Sequence, residues 1–309
     1  MTVAACGFAC GAYSYRRPLA SMHPSAVQCS SPTPQPPAAS SPATAPSRPE
    51  APLHPAQYRS FPLINVYDES ADTKVFRFAL PEGDQELGMT LASCLVMRYV
   101  DRDGKDVSRP YTPISRLHQK GYFEILVKNY KNSKMGSHLH KMKVGDSIDV
   151  KGPYEKFAYK PNMFKQVGMI AGGTGITPMF QLLREVLRDK KEKTEVSLIY
   201  ANRKKEDVLL GNELNELMEL NPNFAPYFVL SQPPQNWMGG VGHITKEMIK
   251  ALMPPPTRPH DSIIFVCGPP GMMQTICGDK DFSSYPPQQG ELKGLMKDLG
   301  YIPRHVFKF

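Results

Sequence analysis

From residue 61 to about residue 157 the apolar positions come in short, alternating runs. Residues 75–80, 94–100 and 122–128 alternate, and 147–150 follow Val144-Gly145-Asp146. A strand sends successive side chains to opposite faces, so such runs predict strands with one face in a core. Asp101-Arg102-Asp103-Gly104 closes the second run as a turn. Short strands at this spacing predict a small antiparallel Greek-key β-barrel. After Pro161 the period changes. Apolar strands at 167–171, 195–200, 227–230 and 263–266 alternate with helical runs at 179–188, 206–220 and 292–299. That alternation predicts an α/β domain with a parallel sheet under covering helices. Residues 254–256 and 283–289 read as loops, and no internal repeat is present.

The segment before the barrel lacks the means to fold alone. Residues 1–57 are rich in Ala, Ser and Pro, and Glu50 is the first acid. Arg16-Arg17, many serines and missing acids predict a disordered organellar transit peptide. Three regions are therefore expected: the tail at 1–57, a flavin domain at 58–160 and a nucleotide domain at 161–309.

The chain has 309 residues, enough for two cores, and a net charge of +8. The charge favours an acidic partner. The lysines are scattered and not interleaved with aromatics, which argues against nucleic acid. Six cysteines show neither C-x-x-C nor ligand spacing, so no metal site and no disulfide framework are expected. No apolar stretch reaches the ~18 residues of a bilayer span, although membrane association through the tail stays open.

Three segments carry candidate chemistry. Gly172-Gly173-Thr174-Gly175 lies between an apolar strand and an amphipathic run, and Pro178 falls in the first helical turn. Glycines let a backbone approach a pyrophosphate, and a helix start offers free N–H groups. Arg109-Pro110-Tyr111-Thr112 offers a guanidinium for phosphate, a fixed backbone, an aromatic ring and a hydroxyl. Cys267-Gly268-Pro269-Pro270-Gly271-Met272-Met273 follows the last long apolar strand, at the strand end where open α/β sheets bind ligands.

In this order the three motifs resemble the ferredoxin-NADP reductase superfamily, and within it the NADH–cytochrome b5 reductases. The resemblance runs from about Pro62 to Phe309 and is nearest the mitochondrial branch of plants and fungi. It implies a flavoenzyme that passes hydride from NADH to FAD, then single electrons to cytochrome b5 or a similar acidic haem protein. It implies a reacting centre with Cys267, Thr112 and Lys128, Cys267 being positional and not a nucleophile. It implies FAD contacts from Arg109, Pro110, Tyr111, Thr112, Leu126, Lys128 and Tyr130, and from Thr177 across the domain seam. Lys134, Met135, Gly136 and Ser137 fall on the family's pyrophosphate segment. There the family's Gly-Lys-Met-Ser reads Ser133-Lys134-Met135-Gly136, so Gly and Ser have exchanged places. The nicotinamide nucleotide falls to Gly172, Gly173, Thr174, Gly175, Cys267, Gly268, Pro269 and Met272. Where the family often has Asp for the ribose, this chain has Ser231, with Asn202-Arg203-Lys204-Lys205 after the previous strand. The resemblance further implies a mitochondrial monomer. Two other readings stay open: a superfamily reductase that uses NADPH, and a flavoprotein-like module that binds a partner without turnover.

Overall fold

A computed structural model describes residues 51–284 and 286–309. The alternating half forms six strands, β1 Arg59–Ser70, β2 Thr73–Ala79, β3 Ser93–Val100, β4 Asp106–Tyr111, β5 Tyr122–Lys128 and β6 Ser147–Glu155. They build one antiparallel sheet in the order β4-β3-β6-β1-β2-β5. Alternate residues point inward: Phe76 and Phe78 from β2, Leu95 and Met97 from β3, Phe123, Ile125 and Val127 from β5. Phe61 meets Phe123 edge to face at 5.3 Å. The Ile114 N–H, just past edge strand β4, donates to Glu124 O on edge strand β5 at 2.9 Å, which draws the two ends of the sheet together. Strand β1 escapes the alternation rule because its register shifts between Leu63 and Asn65 and between Asp68 and Ser70. A bulge breaks the period of two that would have revealed it.

Helix α1, Lys134–Leu139, sits between β5 and β6. The second half forms β7 Gln166–Gly172, β8 Glu195–Asn202, β9 Tyr227–Leu230, β10 Gly240–Val241, β11 Ser262–Cys267 and β12 Val306–Lys308. All pair in parallel, in the order β10-β9-β8-β7-β11-β12. Helices α2 Ile176–Val186, α3 Gly211–Leu220, α4 Lys246–Leu252, α5 Pro270–Ile276 and α6 Gly294–Asp298 cover it. Both faces are buried, so β7 and β11 read as near-continuous apolar runs. One face packs under Ile176, Met179, Leu182 and Leu183 of α2, and the other under Ile249, Ile276 and Met296. Val75, Ala92, Ile114 and Leu126 of the first half join the α2 cluster, so the two halves share a core.

Three expectations need adjustment. The helical run at 206–220 is broken: a 3-10 turn covers Lys205–Asp207, Leu210 takes φ +57°, and α3 starts only at Gly211. The cause is tertiary, because Glu69 on β1 accepts the Leu210 N–H at 2.6 Å. Pro269 and Pro270 belong not only to the candidate ligand segment after the last long strand. They start α5, with Pro270 at the first helical position, where the missing N–H costs nothing.

The third concerns the tail. Residues 1–50, including Arg16-Arg17, lie outside the described residues. Pro52 and Leu53, however, are buried, and Leu53 belongs to the barrel core. The Gly152 N–H donates to His54 O at 3.2 Å, and the Tyr154 hydroxyl to Pro55 O. The folded body therefore begins near Ala51 and not at residue 58. A chain that begins at Ala51 should melt like the full chain. One that begins at Tyr58 should lose about 2–4 kcal/mol, the usual cost of emptying a buried leucine site. Thermal and urea denaturation of the two proteins checks this.

Candidate functional site

The parallel sheet grows to one side of β7 through β8, β9 and β10, then to the other through β11 and β12. Its switch point is thus the crevice at the carboxyl ends of β7 and β11, the usual ligand site of such sheets. Ala171 and Cys267 are register partners there, so the glycine turn and the Cys-Gly-Pro-Pro segment emerge side by side. Gly173–Gly175 form one 3-10 turn that feeds α2. A Cβ on Gly175 would lie 2.2 Å from the Cys267 carbonyl oxygen, so no side chain fits. Cβ atoms on Gly172 and Gly268 would each meet the end of Met272 at 2.6 Å. Met272 therefore lies across both loops at the crevice, whereas Met273 is a core residue. Thr177 is buried and its hydroxyl donates to Thr174 O at 3.2 Å, which holds the first turn of α2. Pro269 is exposed at the crevice rim.

Burial pushes the Cys267 thiol up to about 12, against a pull from Lys280. It is a neutral thiol at physiological pH, which suits a contact surface and not a nucleophile. Burial, then the nearby charge of Lys156, holds Lys280 below the ordinary lysine range, and Cys267 and Cys94 stand within its field. The seam beside Cys267 is thus positively charged. No sequence motif marks Lys156 and Lys280, which meet only through the fold.

The barrel supplies the facing wall. Arg109, Pro110 and Tyr111 end the edge strand β4, opposite Met97, Val96 and Leu95. An edge strand tolerates Pro110, which has no N–H for a ladder. Arg109 is exposed, and its guanidinium donates to Ser108 O at 2.7 Å. Tyr111 is half-buried on the barrel core, and desolvation pushes its phenol up to about 12. Thr112 follows, half-buried. Tyr130 lies past the end of β5 and shares a 3.0 Å hydrogen bond with Thr174, which joins barrel to glycine turn.

Other assigned residues act elsewhere. Leu126 packs in the core shared by the two halves and Met135 in the barrel core. Lys128 Nζ donates to Asp72 at 2.8 Å and stands 3.6 Å from Asp207 of the second half. Lys134 Nζ pairs with Asp101 at 3.1 Å. The Ser137 hydroxyl donates to Asn129 at 3.3 Å. The exchanged Ser and Gly have a structural explanation. Ser133 is the N-cap of α1, and its hydroxyl accepts the Gly136 N–H at 3.0 Å. A Cβ on Gly136 would stand 2.8 Å from that hydroxyl and 3.2 Å from Lys128 O. With serine capping from 133, glycine at 136 avoids crowding both the hydroxyl and the Lys128 carbonyl. The cap satisfies one of the four N–H groups that a helix start leaves open.

The donor set fits a flavin dinucleotide. It offers a guanidinium with no carboxylate partner among the described residues, a half-buried aromatic, hydroxyls at 112 and 137, and, on the second wall, Gly173, whose Cβ position meets only the Tyr130 hydroxyl at 3.7 Å. Among the described residues no cluster could hold a metal ion.

Residues 60–159 match the oxidoreductase FAD-binding domain and residues 169–278 the oxidoreductase NAD-binding domain. An NADH-cytochrome b5 reductase-like protein of Arabidopsis thaliana is 44% identical over 268 residues, 84% of this chain and 79% of its own. NADH-cytochrome b5 reductase 2 of Emericella nidulans is 45% identical over 249 residues, 80% of this chain and 76% of its own. This chain belongs to the NADH–cytochrome b5 reductase family. The cytochrome b5 reductase domain of Ulva prolifera nitrate reductase superposes with a TM-score of 0.72 at 27% identity, covering 84% of this chain and 100% of that one.

The seam contacts were not legible in any motif. The Gln181 side chain accepts the Ser93 N–H at 3.2 Å and donates to Ser93 O at 3.4 Å. The Arg184 guanidinium donates to Ile114 O at 2.6 Å. Burial lowers the Arg184 pKa to about 10, so the group stays charged at neutral pH.

Ser133→Ala should remove the α1 cap at a cost of about 1 kcal/mol. Gly136→Ser alone should cost more, and Ser133→Gly with Gly136→Ser should recover most of that loss. Urea titration of the three variants, with FAD retention on gel filtration, measures both effects.

Proposed function

We infer that this protein is an FAD-dependent oxidoreductase that takes a hydride from NADH and delivers single electrons to cytochrome b5. The observation that carries the reading is the meeting of the two half-sites. Tyr130 past the end of β5 bonds Thr174 of the Gly172–Gly175 turn, and Ile114, two residues after the Arg109–Thr112 edge, accepts from Arg184 of the helix that the turn feeds. FAD, when bound, supplies the exchange between a two-electron donor and a one-electron acceptor. The chain's own residues bind and orient. Arg109 offers its guanidinium to phosphate, and Tyr111 and Thr112 line the barrel side of the ring site. The missing Cβ at Gly175 lets the turn pack on the Cys267 backbone, and Gly173, whose Cβ position meets only the Tyr130 hydroxyl at 3.7 Å, leaves the turn's backbone open to the dinucleotide pyrophosphate. Cys267 keeps its proton and serves as a wall against which the nicotinamide packs. Gln181 and Arg184 fix the separation of the two walls, which is what transfer between stacked rings needs.

The acceptor reading rests on the relatives' names together with the net charge of +8 and the Lys156–Lys280 pair. Opposite charge steers encounter, so cytochrome b5 reduction should slow as salt rises. We further place the protein in mitochondria, in the outer membrane or the intermembrane space, as a monomer with a cleaved leader. The acid-poor segment before Glu50 and Arg16-Arg17 support this. No helix among the described residues is long and apolar enough to cross a membrane.

The purified protein should be yellow, release FAD on denaturation and bleach on addition of NADH. A colourless, folded protein would overturn the reading. Cys267→Ser should keep FAD but slow the bleaching in stopped flow; an unchanged rate would reduce Cys267 to a packing residue. Residues 1–50 fused to a fluorescent protein should reach mitochondria, and a diffuse signal would refute the placement without touching the enzymology.

A further inference from the structure

We propose that the nucleotide edge of this protein admits a 2′-phosphate, so that NADPH serves as a donor beside NADH. The proposal rests on the dinucleotide reading above and concerns its adenosine half. A dinucleotide with its pyrophosphate on the Gly172–Gly175 turn has two halves to place. Cys267, on the β11 side of the turn, takes the nicotinamide. The adenosine must then run the other way, over the carboxyl ends of β8 and β9.

Those ends are tied together. Asn202 and Leu230 are register partners, the Ser231 N–H donates to Asn202 O at 3.1 Å, and the Gln232 N–H donates to Arg203 O at 2.8 Å. Ser231 and Arg203 thus emerge from adjacent, hydrogen-bonded backbones, and both are exposed. A site selective for NADH places an acid here, which binds the ribose hydroxyls and repels a phosphate. Here the position offers a hydroxyl donor and a guanidinium, and Lys204 and Lys205 follow. No carboxylate among the described residues pairs with Arg203. Of the two acids in the loop, Asp207 is held by Lys128 at 3.6 Å and by the Lys204 N–H at 3.1 Å. Glu206 is exposed and is outnumbered by three cations. A guanidinium and a hydroxyl on one edge match a dianionic phosphate, which Arg engages through two parallel N–H groups.

The test is calorimetric binding of 2′,5′-ADP and of 5′-AMP to the FAD-loaded protein. The two probes differ only in the 2′-phosphate. The expected result is that 2′,5′-ADP binds about tenfold tighter or more, the worth of a charge-assisted hydrogen bond. Arg203→Ala and Ser231→Asp should each collapse that ratio, measured on variants that retain full flavin absorbance. The ratio is internal to each variant, so a general loss of affinity does not mimic the effect. Equal or weaker binding of 2′,5′-ADP to the unaltered protein would overturn the proposal, as would a ratio unchanged in both variants. NADH bleaching of the same sample separates the two layers of argument. If NADH bleaches the flavin and 2′,5′-ADP shows no preference, only this proposal fails. If NADH does not bleach it, the donor reading fails and takes the proposal with it.

Discussion

Two backbones touch at the switch point of the parallel sheet, and the rest of the site depends on that approach. Residue 175 has room for a hydrogen and nothing larger, because a Cβ would fall 2.2 Å from the Cys267 carbonyl oxygen. Close packing of this kind cannot relax by a side-chain rotation, since both partners are main chain. It sets the distance between β7's turn and the segment after β11. It therefore sets where Cys267 stands, where α2 begins and which way Thr174 faces Tyr130. The glycines are thus less a sequence signature than the condition for two strand ends to form one crevice.

A crevice in one domain would be half a site. The second half is held by a core that ignores the division between alternating and helical sequence. Val75, Ala92, Ile114 and Leu126 of the barrel pack with Met179, Phe180 and Leu183 of α2. Each such side chain is worth about 1.5–3 kcal/mol when fully buried. Gln181 and Arg184, on the same helix, add directional ties to Ser93 and Ile114. The guanidinium is largely desolvated, and that lowers its pKa. Such a contact contributes more to geometry than to stability, because desolvation offsets much of what the hydrogen bond returns. Helix α2 therefore does two things with one stretch of chain. Its start carries the glycine turn, and its flank holds the barrel.

The strands with clean alternation, β2, β3 and β5, could be read from sequence, as could the buried apolar runs of β7, β8 and β11. Each is local in cause. Strand β1 could not, because its bulges break the period. The end of the 206–220 run could not, because Glu69, far off in sequence, sets the conformation at Leu210. The site divides in the same way. Motif residues in local turns, such as Gly175 and Arg109, were visible. The cap that Ser133 places on Gly136, the Lys128–Asp72–Asp207 group and the mutual repulsion of Lys156 and Lys280 were not. Their partners meet only after both sheets have formed. Pro269-Pro270 was visible as a motif, but its role as a helix start needed the position of the following turn.

The most direct measurement on this account is NADH-driven flavin reduction in Gly175→Ala, followed by stopped flow. A single methyl must push the turn away from Cys267. The Arg109–Thr112 edge of the barrel takes no part in this backbone contact and should still hold FAD at full stoichiometry. The account predicts a yellow protein whose reduction by NADH is at least about a hundredfold slower, the scale that a misplacement of ~1 Å can cost. Dithionite should still bleach it. Reduction by NADH at an unchanged rate, with FAD fully bound, would contradict the claim that this backbone contact sets the transfer site.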